Sequence, residues 1–122
     1  MIEELISRVF YARNVAHFEH WIASGVGSYA RHKALGKFYE GLPELADSFA
    51  EAWQAVHGLM GPVTLQSAEK NRDILEFLQD QVERIQAGRY EFCDREETAI
   101  QNIIDEIVAH YLSAIYKLRF LS

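Results

Sequence analysis

The chain has 122 residues, 49% hydrophobic and 25% charged, with a formal net charge of -6, the make-up of one globular domain spanning 1–122. Its 12 lysines and arginines are scattered among 18 acids, so binding to nucleic acid, which needs clustered positive charge to release phosphate counterions, is not expected. No apolar run approaches the ~20 residues of a membrane span. The opening MIEELISRVF lacks a signal-peptide core. The single cysteine, Cys93, cannot form an internal disulfide, which suits a reducing, cytoplasmic setting.

The dominant period is helical. Ile2, Leu5, Ile6, Val9, Ala12 and Ala16 recur at three- and four-residue steps and predict a first helix over 2–23 with one apolar face. SGVGS ends it, with Gly25 and Gly27 as turn residues and Ser28 as an N-cap. A second helix is predicted over 28–55, with a core stripe of Leu35, Phe38, Tyr39, Leu42, Leu45, Phe49 and Trp53. Pro43 lies within it and predicts a kink near Tyr39–Leu42. HGLMGPVTLQ reads as a loop over 57–66. A third helix, over 67–87, carries Ile74, Leu78, Val82 and Ile85 on one face. AGRYEFC is the next break. Asp94 with Glu97 three residues on reads as a capping box opening a fourth helix over 95–120, which runs through Ile100, Ile103, Ile104, Ile107, Tyr111, Ile115 and Leu118.

Four amphipathic helices predict an all-α, four-helix bundle. The connectivity stays open. A ~27-residue helix is about 40 Å long, and a ten-residue loop spans at most about 35 Å. If the second and third helices run parallel, the crossover must borrow residues from their ends; otherwise the bundle is up-down-up-down.

The residues that could carry chemistry lie on the first two helices. His20 shares a face with Ile2, Val9 and Ala16 and so points at buried surface. On the second helix His32, Gly36, Glu40, Asp47 and Glu51 fall on one stripe. Asp47 and Glu51, four apart, are neighbours that could chelate a metal or simply face solvent. His32 and Asp47 are fifteen residues apart, roughly 22 Å along the axis. One ion cannot touch both on a single chain, so a shared metal would require a second copy with its helix antiparallel. Glu106 and His110 are one residue too far apart for a Glu-x-x-His pair and read as surface polar residues. His57 reads as a dipole contact at a helix end. Cys93 has no histidine at ligand spacing and is not read as a nucleophile.

The pattern resembles the Dps mini-ferritins. Their ferroxidase motif has a histidine followed by tryptophan, a second histidine twelve residues later, an aspartate four beyond, another eleven further on, and a glutamate four after that. Here His20-Trp21, His32, Asp47 and Glu51 match at those spacings, and Gly36 stands where the family has aspartate. HKALGKFYEGLPELADSFAEAW is similar to the family's second helix, and YKLRFL to the end of its fourth. NIIDEIVAHYLSAIYKLRFLS also resembles uncharacterised ferritin-like proteins of phages.

The resemblance implies a ferritin-like fold and a homodimer or larger homo-oligomer. It implies a metal site of His20 and His32 from one subunit with Asp47 and Glu51 from the other. Trp21, Glu40 and His17 would stand around that site. Iron is the implied metal, with ferroxidase or storage activity, and zinc also suits the donor set. Gly36 removes one carboxylate, which spares metal binding more readily than catalysis. The alternative expectation is a non-catalytic ferritin-like protein, structural or host-interacting and of phage origin, with a degenerate site. If phage-encoded, it would act in the host cytoplasm.

Overall fold

The computed structural model describes residues 2–67 and 73–121. Four helices account for the architecture: α1 (Ile2–Ile22), α2 (Ser28–His57), α3 (Ile74–Phe92) and α4 (Thr98–Phe120). The described residues contain no strand, and no helix is long and apolar enough to cross a membrane. The protein is an all-α, four-helix bundle. The predicted stripes form its core: Ile2, Leu5, Val9, Leu35, Phe38, Leu42, Phe49, Leu78, Ile85, Ile104 and Ile107 are all buried.

The helices pack in the ring α1–α2–α4–α3, so α2 and α3 lie across a diagonal. Cross-helix contacts give the directions. His17 stacks on Tyr39 and His20 on His32, so α1 and α2 are antiparallel. His110 meets Phe38 and His57 meets Glu97, so α2 and α4 are antiparallel. The Trp53 indole donates to the Phe92 carbonyl, which sets the C-terminus of α3 beside that of α2. Hence α2 and α3 run parallel, joined by one long crossover.

That settles the connectivity left open by the sequence. The connection spans 58–73, enough chain to reach about 55 Å. It climbs along α1: the Gly61 amide donates to Glu3 Oε2 at 2.7 Å, and the Ser7 hydroxyl donates to the Thr64 carbonyl. The Gly61 amide also holds the Glu3 carboxyl below its ordinary range.

Several boundaries differ from the sequence expectation. Ser67 is not helical, residues 68–72 lie outside the described residues, and α3 starts at Ile74. Asp73 is its N-cap, its side chain accepting from the Glu76 amide at 3.1 Å. α3 then continues through the expected break to Phe92. A Cβ at Gly88 would lie 3.0 Å from the Phe92 ring, so this glycine makes room for a neighbour and does not end the helix. The N-cap of α2 is Gly27, left-handed at φ 78°, and Ser28 is already helical. α4 begins at Thr98 after Glu97, not after Asp94. Half of the expected capping box survives, since the Asp94 amide donates to Glu97 Oε1 at 3.1 Å. α2 contains Pro43, as expected, and runs on to His57.

Candidate functional site

His20 comes from the last turn of α1 and His32 from the second turn of α2, so the short Gly25–Gly27 turn folds one onto the other. Their rings stack at 3.6 Å with 18° between planes. Each binds the backbone of the other: His20 Nδ1 lies 2.6 Å from the His32 carbonyl, and His32 Nδ1 lies 2.9 Å from the His20 carbonyl. A carbonyl oxygen only accepts, so both Nδ1 atoms carry hydrogen. In a neutral imidazole the lone pair then sits on Nε2. Two Nδ1–H groups anchored to carbonyls, with both Nε2 lone pairs left over, is the arrangement that orients histidines for metal coordination.

Gly36 is part of this arrangement. A Cβ there would lie 3.1 Å from His20 Cε1 and 3.3 Å from Nδ1, so the His20 ring uses the space a side chain would fill. A side chain at this position would press on the ring, which would have to give by a few tenths of an ångström. Glu40 is exposed on the same groove, which has a volume of about 560 Å³ and is lined also by His20, His32 and Gly36. His17 is half-buried, stacked on Tyr39 at 4.0 Å and 4.6 Å from Trp21. Trp21 is exposed. Asp47 and Glu51 are exposed further down α2, away from the histidines of their own chain. Among the described residues no three His, Cys, Asp or Glu side chains gather into a metal site. The structure thus brings two of the four expected ligands together and leaves the two acids facing outward.

Other residues take different places from those expected. His110 is not a surface residue: it is half-buried, stacks on Phe38 at 5.5 Å, and its Nε2 lies 2.8 Å from the Phe38 carbonyl. Gly41 permits this, since a Cβ there would lie 2.5 Å from His110 Cε1. His57 does more than face the helix end, for it pairs with Glu97 at 2.7 Å and stacks on Trp53 at 4.6 Å. Asp94 through its amide, then His57, hold the Glu97 carboxyl below its ordinary value. Burial pushes the Cys93 thiol up to about 11, with the nearby Glu97 adding to the effect, so it is a poor nucleophile at neutral pH.

Two groups of residues escaped the sequence reading. One is the Arg89–Gln101 network at the α3–α4 turn. The buried Gln101 accepts from Arg89 Nε at 2.8 Å and donates to the Cys93 carbonyl at 3.0 Å, while Arg89 also reaches Asp105 at 2.6 Å. The other is Lys33, Lys37 and Lys117, which line the histidine groove. The first two are one turn apart and could have been noticed. Lys117 joins them only because α2 and α4 are antiparallel.

No curated protein and no solved structure matches the chain. Residues 20–118 match a family of unknown function, DUF5856. That span runs from the first histidine of the pair almost to the end of α4, and the chain therefore belongs to this family.

Proposed function

We propose that the protein is a Dps-like metal-binding bundle that holds a divalent ion, iron or zinc, between two copies of the chain. The observation that carries this reading is the anchored histidine pair, both Nδ1–H groups on carbonyls and both Nε2 lone pairs available. Two imidazoles fit iron and zinc, and carboxylates favour iron.

Asp47 and Glu51 of a second copy are the residues that would complete the set. The charge along α2 supports such a pairing. Its exposed face carries Arg31, Lys33 and Lys37 toward the N-terminus and, from Glu40 onward, Glu40, Glu44, Asp47 and Glu51. Two such helices laid antiparallel set opposite charges against each other. The long crossover between parallel second and third helices also suits the reading, being the connection of ferritin-like bundles. In its ferroxidase form iron is the substrate, oxidised by oxygen or peroxide from solution. Gly36, filled by the His20 ring, leaves one ligand fewer for that step. The setting is the cytoplasm, or a host's cytoplasm for a phage protein.

The test is metal analysis of the purified, untagged protein, then anaerobic Fe(II) titration and exposure to oxygen, with sedimentation to count the copies. The reading expects a dimer or larger assembly whose metal binding is lost in both His32→Ala and Asp47→Ala. Wild-type Fe(II) and Zn(II) binding in both variants would end it. A second reading has its own observation: the two Nδ1 bonds already close α1 onto α2 without a metal. On that reading the pair is a clasp in a non-catalytic interaction protein, and the same titration finds no specific ion.

A further inference from the structure

The groove beside the histidines has a second chemical character. Lys33 and Lys37 line it from α2 and Lys117 from α4. Lys37 and Lys117 also both line the small cleft on the α2–α4 seam, so they share that seam. None of the three makes an ion pair among the described residues. Lys33 leans over the Tyr29 ring at 5.6 Å. Glu40, the one carboxylate lining the groove among the described residues, lies beyond the 4.0 Å of an ion pair from each of them. Like charges gathered without counter-ions repel, and the repulsion is relieved when an anion sits among them. In a chain of net charge -6, bulk charge does not explain this local excess.

We infer that this groove binds a small phosphate-bearing anion through Lys33, Lys37 and Lys117. Three ammonium groups match a multiply charged anion better than a single carboxylate, and lysine serves phosphate as a compact point charge with three donors. The groove also limits the ligand's size. From Glu40 onward the exposed face of α2 turns acidic, through Glu44, Asp47 and Glu51. A nucleic-acid strand leaving the groove along this helix would meet a row of like charges, so a small anion fits and a polymer does not. The lysines, not the imidazole lone pairs, do the binding, so an anion would compete with the acids of a second copy for Lys33 and Lys37 and is tested separately from the metal.

The experiment is calorimetric titration of the metal-free full chain with pyrophosphate and with inorganic phosphate at low ionic strength. One pyrophosphate per chain is expected, binding more tightly than phosphate. Lys37→Gln and Lys117→Gln should each weaken it about fivefold or more. Arg84→Gln, on the outer face of α3, should bind as wild type. Absence of pyrophosphate binding overturns the inference, as does wild-type affinity in both lysine variants. Metal binding without pyrophosphate binding sinks this inference alone; pyrophosphate binding without metal binding leaves it standing and sinks the metal reading.

Discussion

Where α3 turns into α4, the polar side chains are tied into the fold; where α1 turns into α2, the His20–His32 bonds and the Glu19–Arg31 pair close the helices but two Nε2 atoms and three lysines are left facing out. At the first end Arg89 bonds both Gln101 and Asp105, His57 pairs with Glu97, and the Trp53 indole donates to the Phe92 carbonyl. At the second, two imidazoles keep their Nε2 lone pairs, three lysines lack acids, and Trp21, Ile22, Val26 and Tyr29 are exposed. Both ends join antiparallel helices by short turns. The closed end carries stability, because each of its buried polar groups is matched and removing one orphans another. The open end carries binding capacity, because its two Nε2 atoms and three ammonium groups have no hydrogen-bond or ion-pair partner among the described residues.

The largest effect should come from breaking the closed end. Gln101→Ala deprives Arg89 Nε of its side-chain acceptor and the Cys93 carbonyl of a donor, and should cost about 2–3 kcal/mol in urea unfolding. Trp21→Ala at the open end should stay within about 0.5 kcal/mol. Equal losses would erase the distinction between the ends.

Next come the two glycines that admit histidines. Gly41→Ala sets a Cβ 2.5 Å from His110 Cε1 and should destabilise by about 1–3 kcal/mol. Adding His110→Ala should recover part of that loss, a coupling that a double-mutant cycle reads directly. Gly36→Asp, which restores the mini-ferritin residue, should press on the His20 ring and weaken metal binding unless the ring finds a new rotamer. Better Fe(II) binding in that variant would show that the ring is free to move.

A smaller effect concerns acid. The Glu97 carboxyl is held below its ordinary value of 4.5 by the Asp94 amide and by His57. Its contribution is therefore fully present above that value and lost as the pH falls through the lower folded-state value. The stability gap between wild type and Glu97→Gln should shrink as pH drops from about 5 toward 3; a gap constant through that range would remove this clasp from the account. The smallest signal is the thiol. With Cys93 buried and its pKa pushed up to about 11, a disulfide reagent at neutral pH should react far more slowly with the native protein than with the unfolded one.

The bundle was legible in the sequence because four apolar stripes recur at helical spacing, and most residues of those stripes are buried, with Tyr39, Leu45, Trp53, Val82, Ile103 and Leu118 only partly so. The His20–His32 pairing was legible as spacing, since a two-glycine turn between them brings one helix back along the other. What escaped depends on space between elements. Gly88 reads as a helix end, yet it serves the Phe92 ring within the same helix. Gly36 reads as a lost ligand, yet it is the floor under His20. His110 reads as surface because its acceptor, the Phe38 carbonyl, is 72 residues away. The parallel course of α2 and α3 could not be fixed from a ten-residue loop, because Ser67 and Asp73, which the periodic pattern places in the third helix, are not helical.

The most direct test of the account is long-range proton–nitrogen NMR of the imidazoles in metal-free protein at mildly alkaline pH, repeated as Zn(II) is added. The account predicts that His20 and His32 both carry their proton on Nδ1, and that both Nε2 resonances move together at one equivalent of metal or less. Protons on Nε2, or Nε2 signals unmoved by excess Zn(II), would contradict it.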